Sequence, residues 1–416
     1  AARRNRGHPA TPRRGAMSQA DLPLSPNIAH LTPSETLAIN ALAQKKRAAG
    51  EDVMDLSAGE PDFPTPALPV EAGIRAIQSG KTRYPPNNGV MELRVAAARH
   101  LSLLSGGRPV NADNVLVSSG AKQSLFNACF ALFGPGDKVL VPSPYWVSYP
   151  QMLHFARATP VFVPGAPEWS LKVSVADLEK AADAKTRGII LCSPTNPTGA
   201  VYARAELTRI FEWAAKRGIW VISDEIYRRI HFGPGPAPSA LDLPDELLTR
   251  TVVIYGVSKA YAMTGWRIGL TLAPAAVLKA MAGVQSHMTS GASHPAQWAA
   301  AAALGDERVE QDVARMVDAF RARRDLVVRT FRRDLPGVEF VEPVGAFYLF
   351  FRVDHLFSGD LTSAAVFCER LLQEVGVAMV PGNAFGDPRW VRLSYATGEA
   401  EITRALARLA DFMRRG

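Results

Sequence analysis

The sequence contains few cysteines, no long apolar run and no dinucleotide-binding glycine motif, and each absence excludes a class of protein. Only 3 of its 416 residues are cysteine, and none forms a CxxC pair, so we expect neither a disulfide framework nor a metal site. This usage is typical of the reducing cytoplasm. No apolar run reaches the roughly 18 residues of a membrane span. No GxGxxG follows a predicted strand, which argues against a nucleotide-binding dehydrogenase.

Acidic residues are absent from residues 1–16, and this segment carries much of the net charge. Most of the formal charge of +8 comes from its arginines, which are Arg3, Arg4, Arg6, Arg13 and Arg14. The remaining excess is too small to indicate a nucleic-acid surface. Because the segment has no apolar periodicity, we predict that residues 1–16 form a disordered basic tail. A transit peptide, or a start assigned upstream of Met17, are the alternatives.

Between residues 110 and 270, short apolar runs alternate with stretches of helical pattern. The strand candidates are 114–119, 138–144, 188–194, 218–224, 251–256 and 267–273. Short strands separated by helical crossovers predict an α/β fold, with a mostly parallel sheet and helices on both faces.

After about residue 310 the pattern changes to a long charged helix, a strand pair and a closing helix, which predicts a smaller α+β domain. We therefore expect the chain to divide into a tail at 1–16, an N-terminal arm and part of the small domain at 17–60, a large domain at 61–305 and the rest of the small domain at 306–416.

Lys259 follows the apolar run TVVIYGV, at the edge of the sheet where open α/β folds bind ligands. An ammonium group beside buried surface is desolvated, which lowers its pKa and makes a nucleophilic amine available. A Schiff-base lysine needs such an amine. Arg267, eight residues later, suits a phosphate dianion. A lone lysine at this position is more often a solvated residue at a loop entrance, so the prediction depends on its neighbours.

Two other strand ends carry polar side chains. Asp224 ends GIWVISD, where a buried carboxylate needs a cationic partner such as a protonated pyridine nitrogen. Tyr227 follows three residues later, and its hydroxyl is able to donate a hydrogen bond to a phenolic oxygen on the same bound pyridine ring. The turn SPTNPTG fixes Asn196 at a third strand end. Alone, DEIY is equally compatible with a helix cap, and Asn196 with a self-bonded turn.

The junction SSGAKQ and the run PSPYWVSYP complete the set of strand ends. Gly120 and Ala121 precede a predicted helix, whose N-terminal amides bind phosphate. Trp146 follows another strand, where an indole is able to stack on a flat ring. The glycine junction is a weak signal by itself, and a lone tryptophan is more often part of the core.

In this order the motifs resemble those of the class I aminotransferases, which are fold-type I enzymes that use pyridoxal 5'-phosphate. The motifs are SAGEPDF, TRYPP, SGAKQ, SPYWVSYP, SPTNPTG, SDEIY, SKAYAMTGWRIG, GAFY and VRLSYA. The likeness extends from about Thr32 to the C-terminus. It is strongest to bacterial aspartate aminotransferases that lack the arginine of the animal and enteric enzymes. The resemblance implies a large domain with a mostly parallel seven-stranded sheet and a smaller α+β domain.

The resemblance also implies roles around the cofactor ring. Lys259 matches the lysine that binds the cofactor and moves the proton between the substrate Cα and the cofactor. Asp224 matches the partner of the pyridine nitrogen. Tyr227 and Asn196 match the residues at the phenolic oxygen, and Trp146 matches the aromatic residue that stacks on the ring.

For the phosphate group the resemblance implies a cup made by Gly120, Ala121, Ser258 and Arg267. Tyr84 in TRYPP matches a tyrosine that reaches the phosphate of the neighbouring subunit. The resemblance therefore implies a homodimer whose active sites are shared.

At the substrate, Arg392 in VRLSYA matches the arginine that binds the α-carboxylate, with help from Asn196, Trp146 and the backbone of Gly59. The segment 284–298 contains no arginine.

In the resembling subgroup a lysine and a threonine bind the second carboxylate instead, and they correspond to Lys122 and Thr36. The alternatives are that Lys122 is a helix-surface lysine and Thr36 a cap residue.

The expected activity is transfer of an amino group between aspartate or glutamate and 2-oxoglutarate or oxaloacetate. A prephenate or broad-specificity aromatic or alanine aminotransferase is an alternative, because the same pair serves prephenate-accepting relatives. A lyase or decarboxylase of the same fold fits the pair Lys122 and Thr36 less well. A transcription regulator of this fold needs an additional winged-helix domain of roughly 70 residues.

Overall fold

The computed structural model describes Ser25, Ile28 and residues 35–415, and of residues 35–37 only the backbone. The tail predicted at 1–16 and most of residues 17–34 lie outside these described residues. Thr36 belongs to the first helix, but its side chain lies outside the described part of the chain.

The helices and strands alternate through most of the described chain. In chain order the strands are β1 (Met54–Asp55), β2 (Val115–Ser119), β3 (Lys138–Ser143), β4 (Thr159–Pro164), β5 (Thr186–Cys192), β6 (Trp220–Asp224), β7 (Thr251–Gly256), β8 (Ile268–Leu272), β9 (Phe340–Val341), β10 (Tyr348–Arg352), β11 (Val377–Ala378), β12 (Val380–Pro381) and β13 (Trp390–Ser394). The helices are α1 (Glu35–Ala48), α2 (Ala67–Gln78), α3 (Met91–Leu104), α4 (Ala121–Leu132), α5 (Ser148–Phe155), α6 (Val175–Ala181), α7 (Arg204–Arg217), α8 (Ala275–Met288), α9 (His294–Gly305), α10 (Glu307–Asp334), α11 (Ala364–Val375) and α12 (Glu399–Arg415).

A seven-stranded sheet forms the centre of the molecule, in the order β2-β8-β7-β6-β5-β3-β4. Strand β8 runs antiparallel to β2 and β7, and the other neighbours are parallel. Every residue of β7 and β8 is buried, as expected for strands enclosed within a sheet that helices cover. The mostly parallel α/β fold is thus confirmed, and the carboxyl ends of β3, β5, β6 and β7 lie at one edge of the sheet.

A second, four-stranded antiparallel sheet has the order β12-β13-β10-β9. Helix α12 contacts both α10 and α11, and α11 contacts β12 and β13 of this sheet. Strand β1 pairs in parallel with β11, which ties the segment after α1 to the C-terminal region. The predicted charged helix corresponds to α10, and the predicted strand pair to β9 and β10.

The six strands expected from apolar runs are all present within one or two residues of their expected bounds. Strand β4 was not predicted, because it lies at the edge of the sheet, contains two prolines and is only partly buried. Edge strands tolerate proline because one side needs no ladder hydrogen bonds. The boundaries at 60/61 and 305/306 stay predictions, although α9 ends and α10 begins at the second of them. No described helix is long and apolar enough to cross a membrane.

Candidate active site

A cavity of about 340 Å³ lies at the carboxyl edge of the large sheet, where it meets the second sheet. Ligand pockets in open α/β folds lie at this edge. Most of the sequence-predicted site residues line it, namely Gly59, Ala121, Lys122, Trp146, Asn196, Asp224, Tyr227, Ser258, Lys259, Arg267 and Arg392.

Lys259 lies three residues after β7, and its amine points into the cavity. Its Nζ donates a hydrogen bond of 2.7 Å to the carbonyl oxygen of Gly59. Burial is the main cause that lowers the pKa of Lys259 to about 8; the nearby guanidinium of Arg267 acts in the same direction, and the charge of Glu60 opposes it. A buried amine with such a pKa is partly neutral near pH 7, as a nucleophilic lysine must be.

Asp224 is the last residue of β6, and its carboxylate is buried beneath the cavity. The hydroxyl of Tyr149 donates to its Oδ2 at 2.6 Å, and the amide of Ile226 donates to its Oδ1 at 3.3 Å. Burial nevertheless raises the pKa of Asp224, because these bonds and Lys259 offset the desolvation only in part. No described cation forms an ion pair with this carboxylate, so a cationic group in the cavity stabilises its charged form.

The residues predicted to form a phosphate cup lie together at the N-terminus of α4. Gly120 precedes this helix with a φ of 84°. A Cβ atom added there lies 2.6 Å from Nη2 of Arg267, so only glycine lets the guanidinium approach. Ser258 and Arg267 also line the cavity. Helix-terminal amides, a hydroxyl and a guanidinium together form a site for a dianion.

Arg392 lies in β13 and is fully enclosed. Its Nη1 donates to Oδ1 of Asn196 at 3.1 Å, and its Nη2 donates to the carbonyl oxygen of Ser57 at 2.7 Å. The guanidinium carbon lies 4.5 Å from the ring centre of Tyr348 and 5.0 Å from that of Phe385. Nε has no hydrogen-bond partner in the described part of the chain. Burial lowers the pKa of Arg392, so an anion in the cavity complements its charge.

Lys122 is the second residue of α4, and its Nζ lies 5.1 Å from the ring centre of Trp146. Burial lowers the pKa of Lys122, and Arg267 lowers it further. No acidic side chain among residues 38–415 pairs with this amine. Two incompletely neutralised cations, Lys122 and Arg392, therefore line one cavity.

Two predicted residues, Gly120 and Tyr84, are not among the described residues that line the cavity. Gly120 lies just behind it, next to Arg267. Tyr84 has 91% of its surface exposed and does not belong to the cavity lining of its own chain. The side chain of Thr36 lies outside the described residues, so its role stays a prediction.

Sequence reasoning missed two tyrosines that contact predicted site residues. Tyr149 lies three residues after Trp146, so its place in the quoted motif PSPYWVSYP was the available signal. Tyr348 belongs to the motif GAFY, and its hydroxyl lies 2.8 Å from that of Tyr227. Only the pairing of β10 with β13 brings Tyr348 to Arg392.

These residues fit pyridoxal 5'-phosphate. A partly neutral lysine, a buried carboxylate and a glycine-lined cup match its aldehyde carbon, pyridine nitrogen and phosphate. In addition to Gly120, a Cβ atom on Gly269 would lie 2.4 Å from the amide nitrogen of Ala121, so two glycines shape the cup. No group of His, Cys, Asp and Glu side chains in the described ranges is arranged to hold a metal ion.

Comparison with known proteins gives consistent results. The family model for aminotransferase class I and II matches residues 51–409. A bifunctional aspartate aminotransferase and glutamate/aspartate-prephenate aminotransferase of Petunia hybrida is 44% identical over 399 residues, covering 94% of this chain and 83% of that protein. The aspartate aminotransferase of Streptomyces avermitilis is 40% identical over 396 residues, covering 94% and 96%. The structure of the Thermus thermophilus aspartate aminotransferase with maleate has a TM-score of 0.88 and 38% identity, covering 94% and 99%.

Proposed function

Because this chain belongs to the class I and II aminotransferase family and uses pyridoxal 5'-phosphate, we propose that it transfers the amino group of aspartate or glutamate to oxaloacetate or 2-oxoglutarate. The reaction has two half-reactions, in which the amino acid leaves as a 2-oxo acid before the second substrate enters.

The observation that carries the acidic substrate is the presence of Lys122 and Arg392 in one cavity. Every amino acid supplies an α-carboxylate for Arg392, but only a dicarboxylic substrate supplies a second anion for Lys122. The maleate in the Thermus thermophilus structure is also a dicarboxylate, which supports this assignment.

The side chains divide the chemistry among them. When bound, pyridoxal phosphate supplies an electron sink that stabilises negative charge at the substrate Cα. Lys259 Nζ would take the proton from the substrate Cα and deliver it to the former aldehyde carbon of the cofactor, for which a pKa of about 8 is well suited. The carboxylate of Asp224 would stabilise the protonated pyridine nitrogen of the cofactor. Asn196 and Arg392 orient the substrate.

Prephenate is a second candidate acceptor. Prephenate also carries two carboxylates, and the Petunia hybrida relative is named for both activities. Lys122 is able to bind the second carboxylate of either acceptor, so it does not distinguish prephenate from oxaloacetate. The two acceptors are therefore compared in the same assay.

The experiment compares Lys122→Ser with the wild type, using Lys279→Ser as a control on the exposed surface of α8. A charge-assisted hydrogen bond to a desolvated carboxylate contributes about 1.5–3 kcal/mol. We therefore expect Lys122→Ser to lower kcat/KM for aspartate and glutamate by roughly 10- to 200-fold. Half-reactions with phenylalanine are expected to change by only a few-fold.

An equal loss for aspartate and phenylalanine assigns Lys122 to the cofactor or the fold, and the acidic substrate is then wrong. Retained aspartate activity in Lys122→Ser contradicts the assignment as well. A wild type that aminates prephenate faster than oxaloacetate favours the second candidate.

We also propose that the enzyme is a cytoplasmic homodimer in which Tyr84 completes the phosphate site of the partner. The 91% exposure of Tyr84 supports this arrangement, because such a ring is available to another subunit. Mixing Tyr84→Phe chains with Lys259→Ala chains gives heterodimers with one site free of both changes. Activity above the sum of the parents is expected, whereas purely additive activity contradicts a shared site.

A further inference from the structure

Tyr348 lies in the cavity between Tyr227, on the side predicted to hold the cofactor, and Arg392, on the side predicted to hold the substrate. It is the first residue of β10, is 1% exposed and lines the cavity. Its ring centre lies 4.5 Å from the guanidinium carbon of Arg392, and its hydroxyl oxygen lies 2.8 Å from the hydroxyl oxygen of Tyr227. One side chain thus contacts a residue from each end.

The ring of Tyr348 restricts the orientation of Arg392. Tyr348 and Phe385 both lie within stacking range of the guanidinium, and Asn196 and Ser57 accept its Nη hydrogens. A buried cation with few anionic neighbours is stabilised by the negative faces of aromatic rings. The ring therefore contributes both stability and a fixed plane to the guanidinium that binds the α-carboxylate.

The hydroxyl of Tyr348 acts on Tyr227. A hydroxyl carries one proton and accepts two hydrogen bonds. When Tyr227 donates its own proton into the cavity, its oxygen accepts from Tyr348, and the two bonds strengthen each other. Gly59 leaves room for this arrangement, because a Cβ there would lie 3.0 Å from the Tyr348 hydroxyl.

We infer that Tyr348 is a positioning residue for both ends of the site. Its ring holds Arg392 in the plane that receives the substrate α-carboxylate, and its hydroxyl strengthens the hydrogen bond from Tyr227 to the phenolic oxygen of the cofactor. This inference rests on the proposed function, since it requires a cofactor at Lys259.

The first variant, Tyr348→Phe, keeps the ring and removes the hydroxyl. A donor to the phenolic oxygen neutralises its negative charge, which makes the neighbouring linkage to Lys259 easier to deprotonate. With a weaker Tyr227 bond, the pH midpoint of the bound cofactor's absorbance is expected to rise by about 0.3–1 unit. The KM for amino acids is expected to stay within about twofold, because Arg392 keeps its stacking partner.

The second variant, Tyr348→Leu, removes both contributions. Loss of the cation–π contact is expected to weaken binding of maleate to the holoenzyme by about 3- to 30-fold. The KM for all amino acids is expected to rise similarly, and the absorbance midpoint is expected to shift as in Tyr348→Phe. Tyr348→Phe keeps the test decisive if Tyr348→Leu does not fold.

The control is Tyr395→Phe, a buried tyrosine whose hydroxyl has no hydrogen-bond partner within the described ranges. It is expected to leave the midpoint and the maleate affinity unchanged. An unshifted midpoint in Tyr348→Phe, or unchanged maleate affinity in a folded Tyr348→Leu, overturns the inference. If the absorbance of the bound cofactor is the same in Lys259→Ala as in the wild type, the proposed function is overturned instead. The two failures are therefore distinct.

Discussion

The two ends of the cavity are built in different ways. At the cofactor end, Asp224 ends β6 and Lys259 closely follows β7, so one parallel sheet places both. At the substrate end, Arg392 comes from β13 of the second sheet, Lys122 from α4, and Gly59 from the loop after β1. The cofactor end therefore depends on one sheet, and the substrate end depends on how distant segments meet.

The two ends also differ in the charges of their side chains. Burial lowers the pKa of Lys259 to about 8 and raises that of Asp224, so at the cofactor end burial makes the charged form of each group less stable until a charged ligand binds. The substrate end instead carries the cations Arg392 and Lys122. We infer that the cofactor end determines whether chemistry occurs, that Arg392 binds the α-carboxylate common to all amino acids, and that Lys122 determines which amino acid reacts.

The largest effect is expected from the cofactor end. Lys259→Ala removes both the covalent attachment point and the base, so kcat is expected to fall roughly 10⁴-fold or more for every amino acid. Steady-state assays with aspartate and with phenylalanine measure this loss. If Lys259→Ala loses activity toward one amino acid but keeps it toward the other, the cofactor end also affects substrate preference, and the proposed separation of roles is wrong.

Arg392→Ala is expected to impair all amino acids together. Loss of a bidentate, charge-assisted contact with the α-carboxylate is expected to lower kcat/KM by about 10²- to 10⁴-fold. The ratio of aspartate to phenylalanine activity is expected to stay within a few-fold, in contrast to Lys122→Ser. A strong change in that ratio means that Arg392 also contributes to side-chain selection.

The pH dependence of cofactor uptake tests the lowered pKa of Lys259. Only the neutral amine attacks an aldehyde, so the uptake rate of the cofactor-free protein is expected to rise about tenfold per pH unit and to level off near pH 8. Stopped-flow absorbance after mixing with pyridoxal phosphate measures the rate. A rate that still rises steeply at pH 9.5 shows that burial does not depress this pKa.

The smallest effect is expected from Tyr149→Phe. This change keeps the edge-on contact with Trp146, whose ring centre lies 5.4 Å away, and removes the hydroxyl that donates to Asp224. We expect about a 10-fold lower kcat and weaker cofactor binding, with unchanged substrate preference. A change in preference without weaker cofactor binding contradicts the assignment of Tyr149 to the cofactor end.

The sequence predicts the cofactor end well because its residues follow apolar strands directly. Lys259, Asp224 and Asn196 were each recognisable as strand-end polar groups, and parallel topology brings such groups together. Tyr348 was not recognisable, because its contacts with Tyr227 and Arg392 depend on the packing of the second sheet against the first. Strand β4 was missed for a local reason, since its prolines and partial exposure hide the strand pattern.

We propose that Lys259 is the covalent attachment point of pyridoxal phosphate. Borohydride reduction of the holoenzyme, followed by proteolysis and mass spectrometry, tests it without relying on activity. We expect the reduced cofactor mass on the peptide containing Lys259 and on no other peptide. An adduct on Lys122 or another lysine, or no adduct at all, would contradict it.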